Sequence, residues 1–425
     1  MARAGAAMTR DAVRRALRHP VAQNVMALGT VQVAITVVPL ITLPYLARVL
    51  DRSEFGRVVF VQTFSFLVAL VVEYGFNLSA TRDVARRRAD PAALSRTVAG
   101  VQGAKAMLSL LAAALSLVLL PVVPIFRDAP ELLAYGVALG ILQGFVPVWF
   151  FLGVERARPV ALAELTSRMA ALALVVALVH GESEGELVLA VYVVAAAAST
   201  GGLTLLMWRR ARPEMPTRAG SLEALRRGRT LFAGTGATAF YTGANAFLLG
   251  LVIPAAQVAV FASAEKIVRA GNRVLGLMAQ AVYPRVSVLV ARGSLARARR
   301  LSVLSLLSFG GAALTAAGAL AVFAPDIVRL VFGSDFRDAA PLLRILAVAL
   351  PLNVIGVVLS SQWLLPHGRD RRVTGVLVLA SLLNAAVVVA AAELSGLHAA
   401  AWAIVLVELF VLCGNALGLR AIRSA

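Results

Sequence analysis

A single cysteine, Cys413, serves the whole chain, so an intrachain disulfide and a cysteine-built metal cluster are both excluded. Lysine is nearly absent: of 41 basic residues only Lys105 and Lys266 are lysines, and both fall inside apolar stretches. The four histidines are scattered, and no HExxH, Walker A or Ser-His-Asp spacing occurs, so the chain offers no catalytic constellation and reads as a non-enzyme. Acidic residues are few, 22, and the formal net charge is +19. That excess does not point to nucleic acid, because the arginines lie in short segments between hydrophobic runs. Long polar loops are also missing, which leaves no room for a soluble domain on either side.

What is present is hydrophobicity. Sixty per cent of the chain is hydrophobic (60%) and mean hydropathy is +0.84, too apolar for a soluble domain of this length. Runs of about 20 apolar residues recur, each long enough for a hydrocarbon core of roughly 30 Å. The fold class is therefore an all-α polytopic membrane protein. Spans are predicted at 21–43, 57–79, 98–122, 131–153, 160–180, 186–208, 229–252, 255–284, 301–324, 341–364, 373–393 and 397–419, about twelve helices. Residues 1–20 form an arginine-rich tail without a small-residue cleavage site, and the first apolar run reads as an uncleaved span.

Arginine placement sets the orientation. The outer loops would hold only Arg48, Arg52, Arg57, Arg127, Arg329, Arg337 and Arg344, while the intervening segments on the other side hold most of the rest. Both termini are expected in the cytoplasm. The basic stretch 209–228 separates a lobe over 21–208 (helices 1–6) from a lobe over 229–425 (helices 7–12), with 1–20 as the tail. A short internal similarity supports the halves: FGRVVFVQTFSFLVALV (55–71) and QVAVFASAEKIVRAGNRVLG (257–276) share an apolar opening, Phe60 against Phe261.

The most informative stretch is 261–284, FASAEKIVRAGNRVLGLMAQAVYP. At helical spacing Lys266, Arg269 and Arg273 share one face, which Gln280 continues, while Ile267, Val268, Val274, Leu275 and Met278 occupy the remainder. Charges at membrane depth cost roughly 2.5–3.5 kcal/mol each on insertion scales and usually face a bundle interior or wet cavity. This helix is expected to form the cationic wall of a substrate path. The competing account is local: Glu265 and Arg269 are four apart and can pair, which leaves Lys266 and Arg273 unmatched on the helix.

Five segments carry a family resemblance: LPYLARVL (43–50), EFG (54–56), YGFNLSATRDVA (74–85), AEKIVRA (264–270) and AQAVYPRVS (279–287). In this order, and at these spans, the chain resembles the bacterial polysaccharide (O-antigen) flippases of the Wzx/RfbX type, within the multidrug/oligosaccharidyl-lipid/polysaccharide exporter superfamily. The resemblance implies two lobes around a central cavity, and flipping of an undecaprenyl-diphosphate-linked glycan, an O-antigen or exopolysaccharide unit, from the inner to the outer leaflet. Expected partners are that glycan, membrane lipid, and the polymerase or glycosyltransferases of the same pathway; no nucleic acid and no cofactor is expected.

Further candidates follow for the same anion. Arg48, at the outer end of the first span, and Arg82, at the inner end of the second beside Asn77, would be outward and inward contacts, or else would pair locally with Asp51 and Asp83. Lys105 would snorkel to the interface or reach the cavity. Glu164 and Arg168, four apart, are expected to neutralise each other. Glu73, Glu265 and Glu408 are candidate proton or sodium carriers. The rivals are a multidrug cation antiporter, which would prefer an acidic cavity, a peptidoglycan-precursor flippase, which looks like a fourteen-span protein, and a membrane glycosyltransferase or polymerase, which needs larger outer loops.

Overall fold

Short capping signals divide the apolar runs into helices. In the computed structural model, residues 38–39 and 41–423 are described, with side chains through position 419. The predicted first span, 21–43, and the tail, 1–20, thus lie largely or wholly outside the described residues. Helix α1, Arg52–Glu73, starts at Asp51, whose carboxylate accepts the N–H groups of Ser53 and Glu54 at 2.6 and 2.9 Å. It stops where Tyr74 and Gly75 both turn left-handed, at φ 47° and 71°, and α2, Phe76–Arg87, continues from there. The predicted span 57–79 is therefore two helices. Helix α3, Pro91–Val122, uses Asp90 as cap and proline in its first turn.

Helices α4 (Pro130–Phe145), α5 (Arg158–Leu178) and α6 (Gly185–Trp208) complete the first lobe. The second contains α7 (Arg218–Gly243), α8 (Ala255–Ala291), α9 (Leu295–Val322), α10 (Ala339–Ala347), α11 (Ala349–Leu359) and α12 (Asp370–Arg423). Beyond α11 the helix widens into a π segment, Ser360–Leu364, and α12 is kinked at Gly396, φ 80°, between two predicted spans. Nine helical stretches among the described residues are long and apolar enough to cross a membrane, and no strand occurs among those residues. The protein is an all-α, multi-pass membrane protein.

Helix α7 begins earlier than the sequence suggests, inside the stretch 209–228 expected to link the lobes. Thr217 caps it, its hydroxyl accepting the Gly220 N–H at 3.1 Å. Its first half lies on the first lobe, where Gly103 makes room: a Cβ there would meet Ser221 Oγ at 2.3 Å. Arg227 pairs with Asp83 at 3.1 Å, and Phe232 stacks on Tyr74 with centroids 4.6 Å apart. The second half turns to α12, where Ser381 donates to the Ala237 carbonyl at 2.7 Å. The lobes are thus joined by a helix that leans on both.

At the opposite end, α1 packs directly on α8. Gly56 and Ala255 are in backbone contact, so close that a Cβ on Gly56 would fall 1.9 Å from the Ala255 carbonyl oxygen. Phe55 meets Phe332 and Phe336 edge-on, with centroids 6.5 and 5.4 Å away. Arg52 pairs with Asp338 at 3.0 Å, and Arg48 donates to the Leu330 carbonyl. Phe60 and Phe261, the residues matched in the internal similarity, are both fully buried near this seam.

Candidate functional site

The seam closes one end of a cavity of about 740 Å³ between the lobes. Glu265, Lys266, Arg269, Arg273 and Gln280 of α8 all line it. Opposite stand Gln62, Thr63 and Phe66 of α1; Thr238, Tyr241 and Thr242 of α7, Asn353 of α11, and Asn384 and Glu408 of α12 complete the wall. The periodicity of 3.6 that spaces the cations in sequence is what presents them together.

A chain of hydrogen bonds fixes one of those cations. Asn384 Nδ2 donates to Asn245 Oδ1 at 2.7 Å, and Asn245 Nδ2 donates to Glu265 Oε1 at 2.8 Å. The same oxygen accepts Arg269 Nη2 at 2.7 Å, so the local pair foreseen from the spacing forms. Pairing does not withdraw Arg269 from the cavity. Glu265 is buried, 7% exposed, and holds one edge of the guanidinium, while the residue still lines the open space. Lys266 has no ion-pair partner among the described residues. Arg273 lies within electrostatic reach of Arg269 and of Arg168 from the first lobe. Arg168 keeps its expected partner, Glu164, at 3.1 Å.

Glu408 is the second carboxylate of the cavity, 8% exposed. Asn353 Nδ2 donates to its two oxygens at 3.3 and 3.2 Å. The Tyr241 hydroxyl faces it but closes no hydrogen bond. No cation pairs with Glu408 among the described residues. Tyr241 and Asn353 were not legible as partners, because each sits on a different helix; an acid without a same-helix base was the available signal.

Several sequence candidates are placed elsewhere. Lys105 is fully buried in the first lobe, so it does not snorkel, and it does not line the cavity. Its Nζ donates to the Gly144 carbonyl at 2.7 Å, near the Phe76 ring and Glu73. Glu73 caps the break after α1, accepting the N–H groups of Gly75 and Asn77 at 3.2 and 2.8 Å, and does not line the cavity. Asn77 is likewise outside it. Arg48 belongs to the seam, bound to Leu330 rather than Asp51. Arg82 is exposed away from the cavity, and its neighbour Asp83 is taken by Arg227. For Lys105→Ala we expect a loss of about 3 kcal/mol from the uncovered carbonyl and lost packing, seen as a lower unfolding midpoint, with transport per inserted molecule near wild type.

Two helical lobes meet at a seam at one end, with a polar cavity between them, in an all-α membrane fold. The chain belongs to the polysaccharide biosynthesis protein family, whose model matches residues 21–290. A protein of Escherichia coli (strain K12) named "Putative O-antigen transporter" is 26% identical over 370 residues, covering 85% of this chain and 88% of that one. In structure, an inward-facing multidrug resistance MATE family transporter of the MOP superfamily superposes with TM-score 0.72 at 15% identity, covering 94% of this chain and 98% of the other. The lipid II flippase MurJ, in an inward closed conformation, superposes with TM-score 0.63 at 10% identity, covering 90% and 87%.

Proposed function

We propose that this protein flips an undecaprenyl-diphosphate-linked oligosaccharide from the cytoplasmic to the outer leaflet of a bacterial inner membrane by alternating access. The observation that carries the reading is the row Lys266, Arg269 and Arg273 on a cavity large enough for a glycan headgroup. A diphosphate cannot cross hydrocarbon bare, since desolvating an isolated ion costs on the order of tens of kcal/mol. Fixed cations replace the lost water: at 4 Å and an effective dielectric of about 20, one charge pair contributes about 4 kcal/mol. Arginine adds forked hydrogen bonds that match phosphate oxygens. The O-antigen name of the relative and the lipid II flippase likeness are in keeping with such a cargo.

In this reading the structure corresponds to the inward-facing state, its outer end shut by the Gly56–Ala255 contact and the Arg52–Asp338 pair. Cargo docks from the cytoplasm, the seam opens as the lobes rock, and the lipid tail stays in the bilayer. Both termini face the cytoplasm. Of the three acids considered for ion coupling, Glu73 is spent on a helix cap and Glu265 on Arg269. Glu408, bound only by neutral groups, is the proton or sodium carrier. Glu408→Gln is expected to abolish gradient-driven transport while cargo binding is retained; undiminished transport by this variant ends the coupling role.

The direct test is a deletion strain, in which the lipid-linked oligosaccharide should accumulate on the cytoplasmic face. Export restored by the wild-type gene completes it, and normal surface glycan in the deletion strain refutes the reading. Substituting lysine for Arg269 and Arg273 together should leave partial export, because the charge survives and the fork does not. Full export by that variant would assign the wall a simple charge role.

A further inference from the structure

A second cavity, of about 250 Å³, opens inside the first lobe and meets the large one at Gln62 and Lys266, which line both. Its character differs from that of the cationic wall. Gln62 and Ser65 come from α1, Gln143 from α4, Ser167 from α5, Tyr192 and Ser199 from α6. The Glu164–Arg168 ion pair closes one side and is internally neutral. Ser167 and Ser65 spend their protons on the Ala195 and Gln62 carbonyls, at 2.9 and 2.8 Å, leaving acceptor lone pairs. Ser199 Oγ and Arg168 Nε are buried without hydrogen-bond partners. Buried polar atoms are almost always satisfied, so unpartnered ones beside a cavity point to a ligand or water.

We propose that this pocket is a subsite for the sugar ring bonded directly to the diphosphate. The proposal rests on the flippase reading. Neutral amides and hydroxyls set among apolar residues such as Leu139 and Leu172 offer donors, acceptors and a surface for ring C–H groups, which suits an uncharged polyhydroxylated ring better than a cation or a second phosphate. Size agrees: at about 30 Å³ per water the volume equals roughly eight waters, room for one pyranose and not a chain of them. Position agrees as well. The first sugar is covalently attached to the phosphate, so it must lie beside whatever holds that phosphate, and Lys266 belongs to both cavities. The rest of the glycan then returns to the larger space.

The test uses purified full-length protein in nanodiscs and two probes, undecaprenyl diphosphate and undecaprenyl-diphosphate N-acetylglucosamine. Wild type is expected to bind the sugar-bearing probe at least tenfold more tightly. The double substitution Gln143→Met with Ser199→Ala, which keeps volume and removes polarity, should erase that preference and leave the bare diphosphate unaffected. Tyr192→Phe, a milder change that preserves shape, should erase part of it. Arg269→Ala should weaken both probes. No preference in the wild type, or pocket variants that keep the preference or lose both probes equally, overturns the subsite. Wild type that binds neither probe overturns the flippase reading and the subsite with it.

Discussion

Replacing Arg269 and Arg273 together by alanine is expected to abolish glycan export while the protein still inserts and folds. Both residues line the open cavity, so truncation removes charge from a cavity wall. The cost falls on the cargo. Losing two charge–phosphate contacts at about 3–4 kcal/mol each, discounted by half for solvent in the cavity, still amounts to several kcal/mol, or more than 100-fold in occupancy at about 1.4 kcal/mol per decade. Measured as surface glycan against membrane-inserted protein, the variant should resemble the deletion strain. The freed Glu265 keeps Asn245 as a donor, which limits collateral damage. Wild-type export by the double variant removes diphosphate docking from this wall.

The second large effect is expected at Gly56. A side chain there collides with the Ala255 carbonyl oxygen, a backbone atom that cannot swing aside as a side chain could. Overpacking of a tight contact costs typically 1–3 kcal/mol, and Gly56→Leu adds a branched group against backbone. The helices α1 and α8 must part, so the seam cannot shut. Two readouts follow: export is lost, and a cysteine placed at Phe336, in a background with Cys413 replaced, becomes reactive to an impermeant thiol reagent added from outside. Unchanged export and an unreactive cysteine would show that the seam tolerates a wider spacing. Gly56→Ala should produce the same effects more weakly.

The two predictions differ in what made them legible. The cations were readable because four charged residues at helical spacing in an apolar run have few affordable environments. Gly56 stands out in sequence only as the end of EFG, since a glycine in a helix carries no record of which backbone passes it. Lys105 shows the reverse. Its charge drew notice, yet the Gly144 carbonyl that receives it comes from another helix, invisible to a one-dimensional pattern. Glu73 and Asp83 likewise found partners set by a helix break and by a neighbouring helix.

The sequence by itself determined the solvent of this protein and one face of one helix: hydropathy forces the chain into lipid, and 3.6-residue spacing gathers Lys266, Arg269 and Arg273 together. Those are properties of a single helix against its surroundings. The tertiary structure decided which polar groups meet. It linked Asn384, Asn245, Glu265 and Arg269 in one chain, gave Glu408 neutral company, kept Lys105 away from the large cavity, and opened a second pocket at Lys266. Contacts between helices depend on rotation, register and close approach, and these are fixed only when all the helices pack at once.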